Sequence, residues 1–445
     1  MAMETAYGQD SNPWLQGLDL VRNQKDIDAL LDAKVPEGER LEFKRELSAR
    51  QGRKDPWATD KKLSEAAKKQ ILHEVIAFAN AYGGTLLLGI AETESKPPVA
   101  DRVVPIPHCE ELAERWRLVF RDSVEPPVPQ LQIHAVSTDG DAGVVVFQVG
   151  RSPMAPHRVK PTLECPIRRA DRCESMTMRE IQDMCVNTAR GLERLERQLK
   201  IRAQRFQYKE IAGLQNPESY VGIRMTAVPV VDTVAFNIVF HHGQLTQALA
   251  PQWRSVQVMR GTTKEWMDMS SWRLGERWRP MLRAARSDYL PANLAAQSYP
   301  MNGYCEVHCD GLLELGYVSN CNIDPQNPDT QWIQEKLFIS WMPNLLAWVD
   351  QVRCQAQVPM AEYVLEVEIT VRGKPFVLVP ESPNALWSFG LLPTSPPQVQ
   401  QFPLYPFRQA EDGNALTRQF WRDLWHWLGQ NINEETSFTL VLPSA

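Results

Sequence analysis

None of the eight cysteines (Cys109, Cys165, Cys173, Cys185, Cys305, Cys309, Cys321, Cys354) stands in a CxxC pair. They are too sparse for a disulfide scaffold in a chain of 445 residues. The expectation is a reducing cytoplasm, with the thiols buried as small hydrophobes. No run approaches the ~20 apolar residues that span a bilayer, so no membrane role is expected. The first residues, MAMETAYGQDSNPW, show no basic stretch followed by an apolar one. There is no GxxxxGK[ST] loop, hence no physical basis for ATP binding, and no internal repeat. Positive charge is not in excess either: the net charge is −6 and the pI about 5.9. Any nucleic-acid site must then be a local basic surface on a mildly acidic body.

What is present is a folded, multi-domain composition, 43% hydrophobic and 23% charged. Residues 18–33 read as a short amphipathic helix stopped by Pro36 and Gly38, followed by a strand at Leu41–Phe43. A polar basic loop leads to a strong helix over 63–82 that ends at Gly83-Gly84. TLLLGIA then reads as one buried strand, 131–136 and 144–149 as a hairpin, and 163–168 as a further strand. Thr177-Met-Arg-Glu180 is a capping box opening a helix. The predicted fold is α+β: a compact domain over 1–190, a helical connector over 191–205, and a second mixed α/β domain over 206–445. In that second domain strands are expected at 233–240, 304–311, 363–371 and 376–379. Helices are expected at 337–352 and 415–432, with a proline-rich strap between the last strand and the last helix.

The chemistry-bearing stretch is Glu37-Gly-Glu-Arg-Leu-Glu42-Phe-Lys44. On a strand Glu42 and Lys44 share one face and Phe43 takes the other. Glu37 lies just upstream across a turn, and Glu92 follows TLLLGIA. Carboxylates meeting beside a lysine can hold Mg²⁺ or Mn²⁺, which polarises a phosphodiester and activates water. The lysine can stabilise developing phosphate charge. Local pattern alone fits a solvated surface ion pair more often than a catalytic site. Two basic groups flank these residues: Arg50, Arg53, Lys54, Lys61, Lys62, Lys68 and Lys69, then His157, Arg158, Lys160, Arg168, Arg169 and Arg172. They could track a phosphate backbone or simply form solvated faces.

The block E-x4-E-F-K (37–44), the helix end AFANAYGG (77–84), TLLLGI-A-E (85–92) and PIRRADRCESMTMREI (166–181) resemble, in this order, the Schlafen-type AlbA domain family. The resemblance covers about 18–190 and extends to prokaryotic Schlafen-like and RecG-related proteins. It implies that Glu37, Glu42 and Glu92 form a metal-binding carboxylate triad with Lys44 assisting. It also implies that Arg168-Arg169 belong to the nucleic-acid face. The third carboxylate is usually aspartate in that family, so Glu92 after Ala91 is a departure that bears on the geometry. The zinc pattern of animal Schlafens is not found, since His108-Cys109 and Cys165/Cys173 lack its spacing. The implied activity is a metal-dependent nuclease cleaving RNA or DNA. The implied setting is a prokaryotic defence effector held silent until triggered, with self-assembly on activation. The two-part plan suits members that fuse this domain to an APAZ region and pair with a short Argonaute carrying guide and target. The alternative is a DNA-binding transcriptional regulator without catalysis.

In the second domain Cys305, His308, Cys309 and Cys321 lack paired ligand spacing and are read as core. Phe420, Trp421, Trp425, Trp427 and Leu428 are likewise read as core or interface. Trp266, Trp272 and Trp278, interleaved with Arg273, Arg277 and Arg279, are a better candidate for nucleic-acid or partner contact, though the structural reading is preferred there too.

Overall fold

The computed structural model describes residues 21–207 apart from 50–54, 96–97, 130 and 171. Beyond these it describes 219–231, 249–260, 263–267, 278–288, 301–320, 322–323, 329, 331–334, 336–356, 358, 361–373, 376–379, 391–392, 398–408, 412–429 and 436–441. The chain divides into two compact units, 1–192 with 353–361, and 193–352 with 362–445. Both mix helices and strands, so the fold class is α+β.

In the first unit α1 (Gln24–Asp32) starts at Asn23, whose side chain accepts from the Lys25 and Asp26 amides while Asp26 accepts from the Asn23 amide. That reciprocal pair closes the helix start and turns Ile27 and Leu30 into the core. β1 (Leu41–Lys44) is an edge strand, parallel to β2 (Gly83–Leu88). Between them lie a short helix α2 (Trp57–Asp60) and α3 (Glu65–Asn80), the latter capped by Ser64 Oγ on the Ala67 amide at 3.0 Å. TLLLGIA is not one strand. The backbone takes φ 109° at Gly89, and the chain leaves the sheet as β3 (Ile90–Glu92), paired with β4 (Ala100–Val103).

The helix α4 (Cys109–Ser123), which the sequence reading passed over, buries Leu112, Ala113, Trp116, Val119 and Phe120 against the sheet. Trp116 meets Phe147 edge-on at 5.7 Å. Then follow β5 (Val124–Glu125), β6 (Leu131–Asp139), β7 (Ala142–Gly150) and β8 (Arg158–Val159). The main sheet has the order β1-β2-β7-β6, with α3 and α4 packed on one face and α1 on the other. A hairpin of β9 (Pro166–Arg169) and β10 (Arg172–Ser175) leads into α5 (Met178–Arg205). The predicted capping box is there: the Thr177 amide donates to Glu180 at 2.7 Å and the Glu180 amide to Thr177 Oγ1 at 3.3 Å. The helix runs on through the stretch read as a connector.

The second unit is built on an eight-stranded sheet. Its centre is β11 (Tyr220–Pro229), flanked by β12 (Leu313–Asn320) and β13 (Tyr363–Arg372). One face carries a buried ionic seam. Arg224 is bound by Glu366 at 2.6 Å and Glu368 at 3.0 Å. Arg202, from α5, bonds Glu306 at 2.5 Å and Glu314 through Nε at 2.7 Å. These pairs satisfy charges that burial would otherwise leave uncompensated, and they fix the last turns of α5 on the sheet. Helices lie at Lys336–Ile339, Trp341–Gln355 and Asp412–Trp427. Cys305 is fully buried and His308 faces Glu306, while Trp421 and Trp425 are core. Arg279 pairs with Asp288. The expected strand at 233–240, Cys321, Trp272, Arg273 and Arg277 lie outside the described residues, and nothing is described of the Trp266 side chain. No helix among the described residues is long and apolar enough to cross a membrane.

Candidate active site

Among the described residues the outer edge of β1 has no strand partner, so its backbone donors need other acceptors. The chain before it supplies one. The Gly38 amide bonds the Leu41 carbonyl, and Glu37 Oε1 accepts the Phe43 amide at 2.7 Å. Strand alternation then turns Glu42 and Lys44 to one face and Phe43 to the other core. Glu42 is buried and lies between two cations. One of its oxygens is paired with the Lys44 ammonium, and the other accepts from Arg168 Nη2 at 2.5 Å.

Arg168 arrives on β9. Its position is set by Asn80, the last residue of α3, whose amide nitrogen donates to the His157 and Pro166 carbonyls at 2.9 and 2.8 Å. From there Arg168 bonds Glu74 at 2.9 Å and the Gly38 carbonyl at 3.0 Å, and its guanidinium lies 5.0 Å over the Phe78 ring. Glu74 and Phe78 are four apart on α3, hence neighbours on one helix face. Glu74 and Asn80 escaped the sequence reading. The available signals were a carboxylate one turn from Ile71 and Phe78 on a buried face, and the asparagine inside AFANAYGG.

Electrostatically the cluster is strained in one place. Burial, the charges of Glu42 and, less, Glu92 push the Glu37 carboxyl up to about 7, partly offset by the Phe43 amide and Lys44. Burial works against the Lys44 ammonium, but Glu42, Glu74 and Glu37 more than offset it and hold its pKa above the usual lysine range. Glu74 is raised by burial and by Glu42, against the pull of Lys44 and Arg168. Burial, then Glu74, pushes the Cys173 thiol up to about 12, which keeps it protonated and unreactive.

Thus Glu37, Glu42 and Lys44 come together, and Glu92, exposed at the end of β3, is near enough to act on Glu37. They do not form a cation site as they stand. Among the described residues no three His, Cys, Asp or Glu side chains are placed to hold a metal ion. Both Glu42 oxygens already face protein cations. As placed, this donor set does not fit Mg²⁺ or Mn²⁺.

The basic residues are mostly spoken for. Lys61 pairs with Glu111, Lys68 with Glu65 at 2.7 Å, and Lys69 with Glu164 at 3.5 Å. Arg158 pairs with Glu125 at 3.0 Å, Lys160 donates to the Asp122 carbonyl at 3.1 Å, and Arg169 holds Glu174 and Glu180. Lys62 and Arg172 are exposed. Arg168, expected on the substrate face, is 1% exposed in its side chain and points inward instead. Arg50, Arg53 and Lys54 lie outside the described residues.

The raised Glu37 pKa has a measurable consequence for stability. Its folded value, about 7, exceeds the reference 4.5. The folded state therefore binds this proton more tightly, and the stability it contributes is lost as pH rises from about 4.5 through about 7. Glu37→Gln keeps an acceptor for the Phe43 amide but carries no charge. The variant is expected to melt above wild type at about pH 8, with the difference vanishing below about pH 4.5. Equal melting curves across that range would show that Glu37 is solvated like a surface carboxylate.

This α+β unit carries an acid–lysine cluster on its edge strand. Residues 37–177 are a Schlafen AlbA_2 domain, matched by the family model of that description. That family includes nucleic-acid-binding and nuclease-like members. Two solved structures are similar over part of the chain. One is the DIP2311 protein from Corynebacterium diphtheriae (16% identity, 36% of this chain and 27% of that one, TM-score 0.23). The other is the N-terminal domain of a RecG-related protein from Nitrosomonas europaea (19% identity, 29% and 74%, TM-score 0.20). The chain thus spans about a quarter of the first of these. No curated protein matches.

Proposed function

We propose that the first unit is a nuclease domain that cleaves RNA or DNA phosphodiesters, with Glu37 and Lys44 at the reacting centre. The observation that carries this reading is the convergence of Glu37, Glu42 and Lys44 on the edge strand of a Schlafen AlbA_2 domain. A carboxyl near 7 divides between base and acid forms at neutral pH, which suits a group that must accept a proton and give it back. Glu37 takes the proton of the attacking oxygen, a ribose 2′-hydroxyl or water. The Lys44 ammonium, held by Glu42, stabilises charge developing on the phosphate. Arg168 and Glu74 keep Glu42 in place for that task.

The test is cleavage of labelled single- and double-stranded RNA and DNA by the full chain, in Mg²⁺, in Mn²⁺ and in chelator. It is run alone and with a short Argonaute carrying guide and target, which examines the defence-effector setting directly. Cleavage that survives chelation and is lost in Glu37→Gln supports the reading. Binding without cleavage in every condition replaces it with a regulator that holds DNA on the same domain.

A further inference from the structure

We propose that Arg151, with Tyr82 beside it, is a subsite that takes one backbone phosphate of a single-stranded nucleic acid and stacks its base. The inference rests on the nuclease reading above and places part of its substrate.

Arg151 directly follows β7 and is half-buried, yet among the described residues its guanidinium has no hydrogen bond and no carboxylate partner. Burial lowers its pKa, and the neighbouring Tyr82 phenol is the group that opposes this. Other inward-turned arginines of the protein spend their desolvation on carboxylates: Arg168 on Glu42 and Glu74, Arg202 on Glu306 and Glu314, Arg224 on Glu366 and Glu368. A partly desolvated cation facing no anion is unfavourable until an anion arrives. Exposed lysines such as Lys62 make no such demand, because water already serves them.

Tyr82 supplies the second half. It is 49% exposed, two residues past the end of α3, whose Phe78 is fully buried. Its backbone placement is tight. Gly83 takes φ 77° opposite Gly150, and a Cβ there would fall 2.8 Å from the Val149 carbonyl oxygen and 2.9 Å from the Arg151 amide. The two backbone segments are therefore in close approach, which puts Tyr82 and Arg151 at the same end of the sheet. An exposed ring beside an unpaired guanidinium matches a nucleotide, base on ring and phosphate on cation.

Topology puts this pair at the end of the sheet where the Glu37 turn also lies. β1 and β2 are parallel, so residues 37–40 and Tyr82 precede neighbouring strands at one end. β7 is antiparallel to β2, so Arg151 follows its strand at that same end. Two strand spacings, about 10 Å, separate β1 from β7. A strand crossing this end passes both.

The experiment is fluorescence anisotropy of a labelled single-stranded RNA and its DNA counterpart against the full chain over a range of salt. Arg151→Gln, Arg151→Lys, Tyr82→Ala and Tyr82→Phe are compared with wild type. Arg151→Gln is expected to weaken binding roughly 10-fold and to flatten the salt dependence by about 0.7 in log–log slope. Arg151→Lys should keep the slope. Tyr82→Ala should weaken binding about 5- to 100-fold, with Tyr82→Phe unchanged. If Arg151→Gln binds with wild-type affinity and slope, or if Tyr82→Phe loses as much as Tyr82→Ala, the subsite is wrong while the nuclease reading stands. If wild type binds neither strand, both fall.

Discussion

Arg168→Ala is expected to cost about 3–5 kcal/mol of the first unit's stability, the usual effect of removing one partner from a buried ion pair. The side chain is 1% exposed and makes four contacts at once: Glu42 at 2.5 Å, Glu74 at 2.9 Å, the Gly38 carbonyl at 3.0 Å and the face of Phe78 at 5.0 Å. Alanine would leave two buried carboxylates facing each other, and Glu42 already raises the Glu74 pKa with the guanidinium in place. For a unit of this size each kcal/mol moves the melting temperature by roughly 2–4 °C, so a fall of about 6–20 °C is expected. Arg168→Lys retains the charge but not the planar fork that spans two carboxylates, and should fall between the two. By contrast the exposed pair Lys61–Glu111 should contribute at most about 1 kcal/mol. A thermal scan of the full chain checks this. An unchanged first-unit transition in Arg168→Ala would mean that the guanidinium is free, returning it to the substrate face where the sequence had placed it.

That difference shows where sequence reading succeeds and where it stops. The Glu42–Lys44 pair was legible because alternation on a strand is a local property, and it needed only the strand. The capping box at Thr177–Glu180 was legible for the same reason. Arg168-Arg169 was legible as a pair on a strand, but alternation sends one inward and one outward without saying which. The answer came from Glu74 and Glu42, 94 and 126 positions away. The helix at Cys109–Ser123 carried a plain i, i+3, i+4 pattern in Cys109, Leu112, Ala113, Trp116, Val119 and Phe120, and could have been found. The central strand Tyr220–Pro229 is harder. Its arginine looks like a surface residue until Glu366 and Glu368, on a strand more than a hundred residues later, cover it. The unpaired state of Arg151 is wholly tertiary, since no local pattern reports a missing partner.

Glu37→Gln is expected to lower the cleavage rate by about 10²–10⁴-fold, the range that a positioned proton-transfer group supplies. Glutamine keeps the shape and the hydrogen bond to Phe43, so the turn before β1 and the binding of nucleic acid should both persist. Only the proton acceptor is removed. In wild type the rate should rise with pH through about 7, as Glu37 gives up its proton, and Glu37→Gln should lack that limb. Lys44→Met tests the other half. It should lower the rate and also free one oxygen of Glu42, so its melting temperature must be read beside its activity. Glu92→Gln separates the two chemistries that the carboxylates could perform. If Glu37 acts by proton transfer, removing the Glu92 charge should shift the pH limb downward and leave the plateau rate near wild type, because Glu92 acts on Glu37 only through its field. If Glu92→Gln abolishes cleavage as fully as Glu37→Gln, and chelator abolishes it in wild type, the carboxylates serve a divalent ion, and Glu42 must leave Lys44 and Arg168 to reach it.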